Sequence, residues 1–516
     1  MTLPAPPPQI HIPGPRKMSH MLATVIMVAA ILAASVCAAG SSPNAPPPQP
    51  ANGRPPQQYH PRIIFNCDGN SVFTAANGDL NRWIANVFTG LEHGQVDALF
   101  WCDGAGGNTA NYDSKVLELT GQRIGKVPPA LVQWIPEDND PPKVVIAEAR
   151  KRGLLVFYSF RINDIHDSFL PEEFPTFKEQ HPEWMIGEGR PYGYNTALNF
   201  ALPEVRALKF ATIEEIVRNY DFDGLEIDFM RSPPFFLPGE EPAHADVLTQ
   251  FLRDVRVLLD AQGRARGRRL ELAVRVDDTL EACRLDGFDV PAWVAEGMLD
   301  LIILGSGVLD IEVEEFRRLV EGANITIYPC LYGWPSSYMP VSPELARGLA
   351  LNYWFQGADG IYTFNWFPHE PDKAYQVGLL NEIGSPETLH GKDMMFAAER
   401  GRPLREYPHN WMRAVLPATV AAGQEVPVPI MVGEDFTEYP PSSLELVLTC
   451  DGLEQADALQ LSLNDQALSL GSRDDAHVRA PLAPGQVLQG CNQVTISLSS
   501  GEATIAAVEI HARYSR

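Results

Sequence analysis

The sequence predicts a (β/α)8 barrel followed by a small β-sandwich, on three observations. Eight short apolar runs alternate with helical stretches from residue 61 onward. Polar side chains gather at the ends of those runs, where barrels of this kind keep their chemistry. Beyond about residue 405 the helical signal stops, and short strand-like runs separated by turn residues take over.

At 516 residues the chain is long enough for two or three domains and a large core. Its 65 acidic against 40 basic residues give a formal charge of −25, which would repel a polyanion and argues against nucleic acid as a partner. Residues 1–39 read as an export signal. Arg16 and Lys17 precede the uncharged apolar run Leu22 to Val36, and Val36-Cys37-Ala38 suits a signal peptidase. An uncleaved anchor is the alternative, although the run is short for a membrane span. The expected location is secreted or periplasmic, with no membrane contact beyond the export signal. Residues 40–60, rich in Pro, Asn and Gln, read as a disordered linker. Export permits disulfides. Cys67 and Cys102 occupy matched contexts, FNCDG and FWCDG, at the ends of consecutive strands and are expected to pair, and Cys450 and Cys491 are a second candidate pair.

The barrel is expected over residues 61–400. Its strands read at 62–69, 96–104, 154–164, 222–230, 270–278, 300–307, 326–333 and 358–366. Among the intervening helices, residues 203–219 begin with Pro203 in the tolerated first turn and carry Val205, Leu208, Ile213, Ile216 and Val217 as one stripe. Residues 243–261 and 342–356 read likewise. A doubly wound open sheet is the alternative, but no dinucleotide glycine fingerprint follows the first strand. The sandwich, residues 405–516, rests on VPVPIMV, LELVLTC, ALQLSLN, QVTISLS and AAVEIHA. It shows no evident aromatic platform for sugar and is expected to pack against the barrel.

Alternation along each strand sorts its side chains. In the fourth strand Leu225, Ile227 and Phe229 should face the helices, leaving Glu226, Asp228 and Met230 toward the axis. Two inward carboxylates two residues apart repel, and one is expected to hold its proton more tightly. A structural reading sets Arg231 or Arg275 against the pair as a salt bridge. The fifth strand should turn Ala273, Arg275 and Asp277 inward. The third should offer Phe157, Ser159, Arg161 and Asn163, the first two Asn66, Asp68, Trp101 and Asp103, and the eighth Thr363 and Asn365. Asp68 and Asp103, each taken alone, better suit loop caps. Trp101, Tyr332, Trp334 and Trp366 are candidates to stack on sugar rings, or else rim packing. Paired carboxylates between aromatic walls suit cleavage of a glycosidic bond. No GxSxG elbow supports a serine esterase, the Gly-rich DGAGGN at 103–108 lacks the Lys-Ser/Thr of a phosphate loop, and no Cys/His cluster suggests zinc.

FDGLEIDFMRSP (222–233) resembles the strand-four signature of the glycosyl-hydrolase-like family ten domain, with Asp223, Gly224, Asp228, Arg231 and Pro233 matching and Glu226 standing where that family usually has His. LNFALPEVR (198–206) resembles the same family through Leu198, Asn199, Pro203, Glu204, Val205 and Arg206, and FRINDIHD (160–167) and HPEWM (181–185) look like its strand-three region. The resemblance covers the first half of the barrel and implies a TIM barrel acting on glycans. Strand four is also similar to the family eighteen chitinase motif through Asp223, Gly224 and Asp228. Met230 stands at that motif's acid position and cannot donate a proton, so substrate-assisted chemistry is not expected. The reading is therefore a glycoside hydrolase needing no cofactor and no metal. Asp228 is nucleophile or base, and Asp277 is the favoured acid over Glu226. Arg161, Asn163, His166, Asn199, Arg231, Arg275, Asp68, Asp103, Trp101, Tyr332, Trp334, Asn365 and Trp366 are substrate or supporting contacts. A non-catalytic glycan-binding or scaffold barrel is the rival.

Overall fold

The computed structural model describes residues 60–69, 76–92, 94–187, 196–401, 409–453, 458–474 and 476–515, all within one compact unit, Pro47–Arg516. The expected export signal and all but the last residue of the linker lie outside the described residues. No helix of the described residues is long and apolar enough to cross a membrane.

Eight parallel strands close a barrel in sequence order: β1 (Ile63–Cys67), β2 (Val96–Trp101), β3 (Leu155–Arg161), β4 (Gly224–Asp228), β5 (Glu271–Val276), β6 (Leu301–Leu304), β7 (Thr326–Tyr332) and β8 (Ile361–Phe364). All eight fall inside the runs read from the sequence. The layer outside them is built from α1 (Leu80–Phe88), α2 (Pro129–Trp134), α3 (Pro141–Lys151), α4 (Thr176–Gln180), α5 (Pro203–Asn219), α6 (Ala245–Arg266), α7 (Leu280–Leu285), α8 (Val290–Ala295), α9 (Val313–Leu319), α10 (Pro343–Phe355) and α11 (Tyr375–Leu379). Helix α5 begins and ends where Pro203 and the apolar stripe place it.

Two apolar layers hold the barrel. The outer one lies between strands and helices and includes Val156, Leu225, Ile227, Leu272 and Val274. The inner one fills the axis with Ile64, Ala98, Phe100, Phe157, Ala273, Leu301, Ile303, Tyr328, Cys330, Tyr362 and Phe364. Phe100 and Phe157 stack there with ring centroids 4.4 Å apart. Gly224 faces them, and a Cβ on it would lie 2.2 Å from Phe157 Cε1 and 2.6 Å from the Glu271 carbonyl oxygen. The Asp-Gly that opens β4 is therefore a packing requirement. Asp223 accepts the Val156 N–H at 2.9 Å and so ties β4 to β3.

The C-terminal sandwich begins with β9 (Met394–Ala397), ahead of residue 405. It continues through β10 (Ala418–Ala421), β11 (Glu425–Val432), β12 (Ser443–Asp451), β13 (Leu459–Leu463), β14 (Gln466–Ala467), β15 (His477–Pro481), β16 (Gly490–Leu498) and β17 (Glu502–Arg513). One sheet runs β10-β17-β12-β15 with β9 also on β17, and the other runs β11-β16-β13-β14. Pro427 and Pro429 sit on β11, which among the described residues pairs with β16 alone and so lies at the edge of its sheet, where prolines are tolerated. The sandwich packs against the barrel as expected. A Cβ on Gly348 of α10 would lie 2.1 Å from the Met395 carbonyl oxygen, and the Asn352 side chain accepts from Gly433 N at 2.6 Å.

The expected disulfides do not form. Cys67, Cys102 and Cys450 are free thiols. Cys67 is in register with Trp101, so Cys102 lies one residue further along and turns to the opposite face of its strand.

Candidate active site at the barrel mouth

Above the apolar plug the interior turns polar. Asn66 donates to the Tyr362 hydroxyl at 2.7 Å and to Ser159 at 3.3 Å, and Tyr362 donates to Glu226 Oε2 at 3.1 Å. Burial, reinforced by the neighbouring Asp228, pushes the Glu226 carboxyl up to about 7. One inward step along β4, Asp228 accepts two parallel bonds from Arg275, Nε to Oδ1 at 2.8 Å and Nη2 to Oδ2 at 2.9 Å. The Met230 N–H adds a third at 3.0 Å. The Arg275 guanidinium lies 3.9 Å from the Phe364 ring centre. Glu226, Asp228 and Arg275 are all sealed from solvent, at 0% exposure. Alternation thus placed all three on the axis, and the salt bridge with Arg275 is present.

The solvent-facing part of the mouth is organised by Asp164. Its carboxylate accepts from His166 N at 2.8 Å, meets His166 Nδ1 at 2.5 Å, and receives Arg231 Nη2 at 3.3 Å, while Arg161 Nη1 lies 3.8 Å away. Burial opposes its ionisation, but His166, Arg231 and Arg161 together hold the carboxyl well below the ordinary carboxylate range. Arg161 also pairs with Asp68. His166 keeps 34% of its side chain exposed. Tyr332 stacks on Phe364 at 5.5 Å and meets Trp334 edge-on at 6.0 Å, and Asn365 Nδ2 donates to the Tyr332 hydroxyl at 2.9 Å.

Several residues expected here are elsewhere. Trp101 and Trp366 face the helix layer at 1% and 2% exposure, Trp101 edge-on to Trp83 and Tyr158, and Trp366 donating to the Leu331 carbonyl. Strands β2 and β8 are buried on both faces, so their continuous apolar runs carry no phase, and the parity read for them is reversed. Phe100 on β2 and Tyr362 and Phe364 on β8 take the inward places, and Thr363 turns out. Asp103 caps its loop by accepting from Ala105 N and Asn111 N, each at 3.1 Å. Asn163 clamps Leu198, accepting from its N–H at 2.8 Å and donating to its carbonyl at 3.2 Å, and Asn199 accepts from Ala201 N at 3.0 Å ahead of α5. Asp277 is fully buried beside Asp286, and among the described residues neither of its carboxyl oxygens has a hydrogen-bond partner. Burial raises both, Asp286 to about 8, and His409 Nδ1 lies 2.6 Å from Asp286.

Asp164 and Tyr362 were missed. Alternation turns Asp164 away from the axis, but regular strand geometry has ended by then, at Arg161. Asp164, His166 and Glu173 bring one ligand atom each within 4.8 Å of one another. The two guanidiniums on Asp164 oppose a dication there. Glu173, pushed up to about 8 by burial and then by Asp164, favours its protonated form. The Gly-rich 103–108 segment is held by Lys209, whose Nζ donates to the Gly107 carbonyl at 2.6 Å, in keeping with a packed loop.

Fold and mouth together define a (β/α)8-barrel protein with a polar, carboxylate-bearing C-terminal face. Residues 86–250 match the family model described as glycosyl hydrolase-like 10, a stretch reaching from before β2 into α6 and containing Arg161, Asp164, Glu226 and Asp228. No curated protein matches the chain. Similar solved structures include the PgaB (BpsB) glycoside hydrolase domain of Bordetella bronchiseptica, at 12% identity, 63% coverage of this chain and 99% of that one, TM-score 0.41. An alpha-galactosidase of Thermus thermophilus follows at 15% identity, 64% and 63% coverage, TM-score 0.37. A cycloisomaltooligosaccharide glucanotransferase of Paenibacillus sp. shares 9% identity over 87% of this chain, which spans 57% of that chain's length, TM-score 0.33.

Proposed function

We propose that this is an exported glycoside hydrolase, secreted or periplasmic, that cleaves glycosidic bonds in a poly- or oligosaccharide without a cofactor. One observation carries the reading. Two carboxyls occupy successive inward positions of β4, one retaining its proton near neutrality and the other held by a guanidinium. Glu226 gives its proton to the glycosidic oxygen as the C–O bond breaks, and the Asp228 carboxylate stabilises the positive charge developing at the anomeric carbon. Water then adds to that carbon and returns a proton to Glu226. Glu226, unlike Asp277, is the carboxyl that neighbours Asp228 on β4, and the acid role falls to it. Asp68, His166, Arg231, Tyr332, Trp334 and Asn365 are the substrate contacts of this reading, and Arg275 must release one Asp228 oxygen when substrate binds.

A second reading has its own observation. A fully buried, bidentate Asp228–Arg275 pair serves equally as a structural strut, which favours a barrel that binds glycan without cleaving it. Reducing-end release from bacterial, fungal and plant polysaccharides separates the two. Hydrolysis should fall by roughly a hundredfold or more in Glu226→Gln and Asp228→Asn. Neutralising Asp228 strands a buried arginine at a cost of about 3–5 kcal/mol, so turnover is normalised to the folded fraction. Near-native turnover in the folded variants would sink the assignment. Retention of glycan by the native protein without new reducing ends would select the binder.

A further inference from the structure

The C-terminal sandwich reaches toward the mouth through the buried side chain of Glu399. Glu399 follows β9, which is hydrogen-bonded into the sandwich on β17. Its carboxylate accepts from Leu309 N at 2.5 Å and Asp310 N at 2.9 Å, both in the loop after β6. It also takes the hydroxyl of Ser336, in the loop after β7, and the N–H of Arg400 at 2.8 Å. Ser336 holds a left-handed backbone, φ +36°, which few non-glycine residues adopt unaided. Trp411, also from the C-terminal region, donates to the same hydroxyl at 2.9 Å. The two loops are joined to each other by Ser336 N on the Gly307 carbonyl at 2.8 Å. Gly307 lies against the aromatic wall, and a Cβ there would sit 3.2 Å from Tyr332 Cδ1. Tyr338, in the same β7 loop, donates to Glu509 of β17 at 2.7 Å.

We infer that Glu399 is a positioning residue through which the C-terminal domain sets the Tyr332–Trp334 wall of the barrel mouth. The inference builds on the proposed site, since it gives that wall its use. A buried carboxylate receiving donors from two loops at once fixes their separation. Losing it leaves the Leu309 and Asp310 N–H groups without an acceptor and the Ser336 hydroxyl with only the Gly307 carbonyl at 3.1 Å, and loosens both loops together.

The test needs no substrate. Full-length protein labelled with fluorotryptophan gives a fluorine resonance for Trp334, assigned with Trp334→Phe. Glu399→Ala should shift or split that resonance and raise amide exchange roughly tenfold over residues 305–312 and 333–342, while the barrel strands keep their protection. Glu399→Gln, which keeps one acceptor oxygen, should fall between. Ile496→Ala removes buried apolar volume from β16, in the other sheet, without touching the clamp. It should lower stability and leave the Trp334 resonance in place. An unmoved resonance with unchanged exchange in Glu399→Ala, or the same shift in Ile496→Ala, would overturn the inference. Should Glu399→Ala fail to fold, Ser336→Ala and Glu399→Gln decide by the same readouts. Absence of any glycan turnover or retention by the native protein would defeat the proposed function and leave these spectra unchanged.

Discussion

At the scale of single residues, burial acts on Glu226 while the Arg275 guanidinium holds Asp228. Glu226 is raised from its ordinary value of 4.5 to about 7 in the folded chain, chiefly by burial. A raised folded value favours the protonated form, so its contribution is fully present below about pH 4.5 and is lost as pH rises through about 7. Glu226→Gln cannot ionise, and its amide oxygen still accepts from Tyr362. Denaturant titrations from pH 5 to 8 should show the native chain losing on the order of 3 kcal/mol relative to Glu226→Gln. Parallel stability curves would show that Glu226 titrates as it does in the unfolded chain.

At the scale of elements, the strands were legible because each is a short apolar run between turn residues, and α5 because a proline and one stripe mark it. Facing was legible only where polarity alternates. In β4 and β5 the residues Glu226, Asp228 and Arg275 interrupt the apolar run and set the phase, and the structure bears that phase out. In β2 and β8 both faces are buried, so Trp101 and Thr363 gave a false one. The residues past the strand ends were the least legible. Asp164 and Asn163 are placed by loop hydrogen bonds whose partners, Arg231 and Leu198, are distant in sequence. The strongest element-level constraint is Gly224, where the Glu271 backbone oxygen cannot yield to a Cβ. Gly224→Ala should destabilise the barrel by about 1–3 kcal/mol or more through overpacking, measured as a lower denaturation midpoint with an unchanged slope. A neutral substitution would mean that Phe157 re-rotates freely.

At the scale of the whole molecule, barrel and sandwich share a close-packed seam. Backbone meets backbone at Gly348 with Met395, and Gly433 lies 2.5 Å, by its would-be Cβ, from the Leu351 carbonyl oxygen. Such contacts transmit strain, so calorimetry should record one cooperative unfolding transition. Two well-separated peaks would show that the domains melt independently. The Phe100–Phe157 stack has a different kind of consequence. It stoppers the barrel from beneath, and Glu226 sits above it with no exposed surface of its own. A proton bound for Glu226 has no rear corridor and must wait for the front to breathe. The slowness with which that carboxyl equilibrates with bulk water is then a clock on the breathing itself, ticking whether or not any sugar is present.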